Sequence, residues 1–148
     1  MRTGASLPML FELLQQAAKP AMERLTLLRR VVFQVLIGNP DAHAKNLTFM
    51  MGPAGLTLAP AYDLVCGLLC ADGHLEDAYA MAIGDAFAPA QLSAYEWAQF
   101  AVATQLPPRL VRKVIDEVSQ ATVNALDRVS VETRAEGAQA AVVERIQR

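Results

Sequence analysis

Gly38-Asn39-Pro40-Asp41-Ala42-His43-Ala44-Lys45-Asn46 divides this sequence into two kinds of chain. Helical periodicity lies before it, and two short apolar runs around a turn lie after it. Gly38 stands where a helix C-cap glycine belongs, and Asn39-Pro40 prevents the helix from continuing. The stretch that follows is a polar loop in which Asp41, His43, Lys45 and Asn46 crowd together.

Upstream, residues 21–37 repeat Leu25, Leu28, Val31, Val32, Val35 and Leu36 at helical spacing. Glu23, Arg24, Arg29 and Arg30 fall on the opposite side. Pro8 opens a shorter helix over 8–18, which Pro20 breaks. Downstream, 47–51 and 56–59 flank Gly52-Pro53-Ala54-Gly55, a composition that predicts a small β-hairpin. Residues 65–71 read as a short helix and Asp72-Gly73 as a turn. Residues 78–83 are apolar, with extended and helical readings both open, and Gly84-Asp85 closes them. A helix is predicted over 91–105. Pro107-Pro108 restarts another, with Leu110, Val111, Val114, Ile115, Val118, Ala121, Ala125 and Val129 on one 3.6-period stripe. A weaker tail helix over 133–146 is interrupted by Gly137. The expected fold is mainly α with one small β-hairpin, a single domain over 1–148 whose ends fray over 1–7 and about 132–148.

Composition narrows the function. At 148 residues the chain is one domain's worth of sequence, and 53% hydrophobic against 19% charged residues excludes disorder over most of it. A net charge of -2 and a pI near 5.6 leave no basic footprint for direct nucleic-acid or anionic-membrane binding. Two cysteines make no disulfide framework. No signal peptide is legible, and no apolar run approaches the ~18–20 residues of a membrane span. The expected compartment is the cytoplasm. A mean hydropathy of +0.24 is high for a freestanding domain of this size. Either the fold is unusually well closed, or a partner surface is missing.

Asp41 and Asn46 are five positions apart, and a further aspartate, Asp63, returns just past the hairpin. Phosphoryl transfer needs a carboxylate to orient or deprotonate the attacking hydroxyl. It also needs an oxygen donor and a second carboxylate for the magnesium that bridges the nucleotide phosphates. In protein kinases the base aspartate and the metal-binding asparagine are likewise five apart. The Asp-x-His-x-x-Asn pattern resembles the catalytic loop of phosphoinositide-kinase-like enzymes, and above all that of the HipA family of bacterial toxin kinases. Val35-Leu36-Ile37-Gly38-Asn39, the loop itself, and Leu58-Ala59-Pro60-Ala61-Tyr62-Asp63-Leu64 carry the resemblance. It covers about residues 22–85, and the helical remainder more loosely.

The resemblance implies the helical C-terminal lobe of a serine/threonine kinase. Asp41 would be the catalytic aspartate, and Asn46 and Asp63 the magnesium ligands. His43 would brace the loop or assist proton transfer, and Lys45 would face phosphate. The family's kinases phosphorylate protein serine or threonine, typically on an aminoacyl-tRNA synthetase, and often act beside a helix-turn-helix antitoxin. They also place a β-rich lobe ahead of this loop, with a glycine-rich phosphate cover and a strand lysine. Here the stretch ahead of Asp41 is short and reads as helices, and Lys19 sits at a helix end beside Pro20. The expectation is a C-terminal lobe without its N-terminal nucleotide-binding lobe, inactive alone, with ATP and Mg2+ bound only when that lobe or a partner polypeptide complements it. The rival expectation is a catalytically silent module that docks an antitoxin or a kinase partner.

Plainer roles compete for several of these residues. Asp63 is a natural helix N-cap ahead of Leu64-Val65. Cys66, Cys70 and His74 suggest zinc by spacing, but a straight helix would set the outer two ~12 Å apart along its axis. Zinc ligands sit ~2.0–2.3 Å from one ion, so buried structural cysteines are the favoured reading. Tyr95, Trp97 and Phe100 read as core or lobe packing, not a base-stacking platform, since no basic groove accompanies them. Arg109, Arg112, Lys113, Asp116 and Glu117 read as a solvated helix face.

Overall fold

The computed structural model describes residues 4–66 and 78–135. Four helices and one hairpin make up its regular structure: α1 (Leu7–Leu13), α2 (Pro20–Leu36), β1 (Phe49–Gly52), β2 (Gly55–Leu58), α3 (Ala94–Ala103) and α4 (Pro108–Ala135). Single 3-10 turns cover Leu14–Gln16, Ala44–Asn46 and Pro89–Gln91. The fold is mainly α with one small hairpin, as the periodicity predicts.

Prolines begin α1, α2 and α4, where a missing N–H costs nothing. The end of α2 is a Schellman motif. Gly38 is left-handed at φ 60°, its N–H bonds Val35 O at 3.1 Å, and Asn39 N–H bonds Gln34 O at 3.0 Å. In the hairpin Phe49 pairs with Leu58 and Gly52 with Gly55, leaving Pro53-Ala54 as a two-residue turn. Ala17 bridges Leu56 and so lays the hairpin against the turn that follows α1.

The core gathers Leu7, Leu10, Phe11 and Leu14 with Leu27, Leu28, Val31 and Val32 of α2, Phe100 and Ala101 of α3, and Val111 and Val114 of α4. Their i, i+3, i+4 spacing puts each set on one helix face. Phe100 is the hub. Phe11 meets it edge-on at 5.6 Å between ring centroids, and Trp97 at 5.5 Å. Tyr95, read with them as core or lobe packing, is exposed and lies outside the core.

Three further expectations are corrected. Arg30, placed on the polar side of α2, is buried, and its Nη2 donates to Ala59 O at 2.7 Å. Helix α2 is covered on both sides, by the core and by the chain leaving the hairpin, so one apolar stripe does not describe it. The far end of the α4 stripe is also unlike its beginning: Ala121 and Val129 are exposed while Val111 and Val114 are buried. Residues 133–135 continue α4 without a break. The third correction is at Asp63, which has φ 56° and no helix at Leu64–Cys66, so it is not an N-cap.

Residues 78–83 form neither a helix nor a ladder strand. They end in an isolated antiparallel bridge, Ile83 to Ala86, around a left-handed Gly84. The remainder of the 65–71 helix, the Asp72-Gly73 turn, Cys70, His74 and the tail beyond 135 lie outside the described residues. No helix among the described residues is long and apolar enough to cross a membrane.

Candidate active site

The loop after α2 is held by its own side chains. Asn46 Nδ2 donates to Asp41 O at 3.0 Å, which closes the span between them and leaves the amide Oδ1 as a remaining acceptor. His43 N–H bonds Asp41 O at 2.7 Å, and His43 Nε2 lies 3.4 Å from Asp41 Oδ1. The Asp41 side chain is 66% exposed, so this pair is solvent-screened and the carboxylate is open to a substrate. Lys45 is exposed, and among the described residues its ammonium makes no hydrogen bond or ion pair. Its carbonyl accepts from Tyr62 OH at 3.0 Å, and Tyr62 OH also lies 2.8 Å from Thr48 Oγ1.

Asp63 reaches this loop through Asn39, a residue that sequence reasoning used only to end the helix. Asn39 is 1% exposed. Its Oδ1 accepts from Asp41 N–H at 3.0 Å, and its Nδ2 donates to Gln34 Oε1 at 2.7 Å and to Asp63 O at 3.2 Å. One carboxamide therefore touches the backbones of both aspartates, which stand on either side of the hairpin in sequence. The signal available in the sequence was its type: a short amide directly after a C-cap glycine has backbone groups of two segments within reach. Arg30 supports the same segment one step earlier, at Ala59. Burial holds its guanidinium below the usual arginine pKa, and the nearby Tyr62 hydroxyl acts the other way.

Asp41, His43 and Asn46 are thus joined directly, Asp63 is joined through Asn39, and Lys45 stands at the edge. Among the described residues no three His, Cys, Asp or Glu side chains gather as a metal-binding group, and Cys66 is a free thiol. Asp41, Asn46 and Asp63 offer oxygen donors of the type magnesium takes. That ion is usually held by one or two carboxylates, its other positions filled by water and substrate phosphate oxygens. Behind the loop lies a cavity of about 40 Å³, lined by Arg30, Gln34, Asn39, His43 and Asn46 among others. It has room for a few waters and is far smaller than the ~300–1,000 Å³ of a small-molecule site. Among the described residues, Arg30 Nη1 and His43 Nδ1 are buried without a protein partner.

A helical lobe with a hairpin and an Asp-x-His-x-x-Asn loop defines a kinase-like C-terminal region. The chain belongs to the HipA-like C-terminal domain family, whose sequence model matches residues 1–126. It is 34% identical over 129 residues to the serine/threonine-protein kinase toxin HipA of Shewanella oneidensis, covering 87% of this chain and 29% of that protein. It is 36% identical over 124 residues to the putative kinase Y4mE of Sinorhizobium fredii, covering 83% of this chain and 29% of that protein. Among solved structures it is similar to the Shewanella oneidensis complex of HipA, HipB and operator DNA. That match has a TM-score of 0.82 at 28% identity, over 99% of this chain and 36% of the other. The chain spans less than a third of the length of either curated relative.

Proposed function

We propose that this chain is the catalytic-loop lobe of a HipA-like protein serine/threonine kinase and carries out ATP-dependent phosphoryl transfer together with a nucleotide-holding lobe. One observation carries the reading: a single buried side chain, Asn39, ties Asp63 to the Asp41–Asn46 loop across the intervening hairpin. A polar turn with no further role has no need of a partner beyond that hairpin. Asp41 is positioned to accept the proton of the attacking hydroxyl, in an exposed place that a protein substrate can reach. His43 braces Asp41 from the side. Asn46 Oδ1 and the Asp63 carboxylate would hold Mg2+, and the exposed Lys45 would face phosphate. The metal supplies charge neutralisation between the nucleotide phosphates.

The cavity behind the loop is too small for ATP, which accords with a nucleotide site completed by another lobe. Met9 and Leu13 of α1 and Met50 and Met51 of β1 are exposed, which suits faces that such a lobe covers. The relative's complex with HipB and operator DNA supports an antitoxin as partner; a helix-turn-helix antitoxin is what the family resemblance suggests, and the net charge of -2 favours no direct nucleic-acid contact by this chain. The proposed compartment is the cytoplasm, and an aminoacyl-tRNA synthetase is the substrate class the family suggests. The second reading is a silent docking module, which the same exposed apolar side chains of α1 and β1 would serve.

The test is transfer of phosphate from ATP to protein serine or threonine, followed by mass spectrometry. The chain is assayed alone and combined with a β-rich nucleotide-binding lobe. No transfer alone, transfer when combined, and loss of that transfer in Asp41→Asn is the expected pattern. Transfer by the combination that Asp41→Asn leaves intact would overturn the assignment, and no transfer in either state would favour the docking module. Micromolar ATP binding to the chain alone, by calorimetry, would contradict its dependence on a second lobe.

A further inference from the structure

We propose that Asn39 is the positioning residue of this site: its carboxamide holds Asp63 in a left-handed backbone conformation and keeps it in register with Asp41. The metal-ligand role of Asp63 on which this builds is the one proposed above. Asp63 has φ 56°, a region that non-glycine residues enter rarely and at a cost. Residues 59–66 form no regular element, so no ladder or helix holds it there. Among the described residues, the hydrogen bond that Asp63 makes is the one its carbonyl accepts from Asn39 Nδ2. In the left-handed region the Cα–Cβ bond points differently from its direction in extended or helical backbone. Release of the carbonyl lets φ return to negative values and redirects the carboxylate.

Only an amide of this length meets the demands at position 39. It must accept from Asp41 N–H while donating twice, to Gln34 Oε1 and to Asp63 O. A carboxylate accepts but cannot donate. In Asn39→Asp the Asp41 arm survives, and Gln34 can turn its own amide to donate, so the Asp63 arm alone is lost. Asn39 is buried, so nothing from solvent replaces the missing donor.

The experiment uses the 15N-labelled chain at pH 8 with Mn2+ alone as the probe, read by amide relaxation and backbone chemical shifts. Mn2+ is added at millimolar concentration, where weak and transient occupancy of the uncomplemented site is enough, and in the native chain it broadens the amides of Asp41, Asn46 and Asp63 together. In Asn39→Asp, with its circular dichroism unchanged, the broadening at Asp63 is lost, that at Asn46 weakens as it does in Asp63→Asn, and the Asp63 shifts leave the left-handed range. Asp63 broadening and shifts unaltered by Asn39→Asp would overturn the proposal. Asp63→Asn separates the two claims: if Mn2+ still broadens Asn46 fully there, the metal reading fails, whereas the response of the Asp63 shifts to Asn39→Asp still tests the latch. Should Asn39→Asp not fold, Asn39→Ser is melted in the native and Asp63→Gly backgrounds. Glycine needs no holding at positive φ, so the loss of melting temperature is smaller in the second background. Equal losses would overturn the latch.

Discussion

The loop at 39–46 and the helical half at 94–135 are stabilised by opposite means. The loop meets the core through Ala44 and is held by hydrogen bonds from Asn39, Asn46 and Tyr62. The helical half depends on Phe100, Ala101, Val111 and Val114 packed against α1 and α2, with few side-chain hydrogen bonds reaching across. One such bond is made by Arg24, whose Nη2 donates to Thr104 O at 2.6 Å and Gln105 O at 3.0 Å and satisfies the carbonyls at the end of α3. The difference separates the consequences of mutation. Changes at the exposed loop residues Asp41 and Lys45, unlike those at the buried Asn39, should alter chemistry at little cost to folding, and changes in the helical half should do the reverse.

The largest effect expected is at Asp41. Asp41→Asn keeps the backbone bonds to Asn39 and Asn46 and removes the proton acceptor, so turnover of a complemented kinase falls by ~10²–10⁴-fold. The melting temperature of the chain stays nearly unchanged, because an exposed charge contributes little. A large drop in melting temperature would break the comparison at its first point.

Phe100→Ala is the converse. It removes the ring that both Phe11 and Trp97 meet, and denaturant unfolding should show a loss of ~3–5 kcal/mol. Next comes Gly84→Ala. Gly84 is left-handed, and a Cβ there would lie 2.6 Å from Glu96 O on α3, so a loss of ~2 kcal/mol or more is expected in the same measurement.

Arg30→Met sharpens the contrast, since Arg30 belongs to the helix but serves the segment that carries Asp63. It removes the donor to the buried Ala59 carbonyl and should cost ~1–3 kcal/mol. Amide exchange should quicken between Ala59 and Asp63 and stay unchanged in α4. The smallest effect is at Lys113→Ala, which breaks an exposed i,i+4 pair with Glu117 and should shift stability by under ~0.5 kcal/mol.

Most elements were legible because their causes are local. Proline starts, a C-cap glycine, helical apolar spacing and a Gly-Pro-Ala-Gly turn each act over a short stretch, and they marked α1, α2, the hairpin, α3 and α4. The Asp41, His43, Lys45 and Asn46 loop was legible for the same reason, since so short a spacing needs no knowledge of distant chain. What stayed hidden depends on a second segment. Arg30 read as a surface charge because periodicity assumes one buried face, and the chain after β2 covers the other. Ala121 and Val129 continue the stripe of α4, but the partners that bury its first turns do not extend that far.

Asp63 is the sharpest case. Its position after the hairpin marked it as a candidate ligand, yet its left-handed backbone and its tie to Asp41 are invisible in the residues around it. Both arise from Asn39, which looks like helix punctuation in the sequence and becomes a buried three-bond clamp once α2, the loop and the post-hairpin segment meet. Local sequence determined which side chains this protein offers and at what spacing along the chain. Only the tertiary structure decided which of them face one another, because a hydrogen bond between segments so far apart in sequence forms only when packing has already brought its donor and acceptor together.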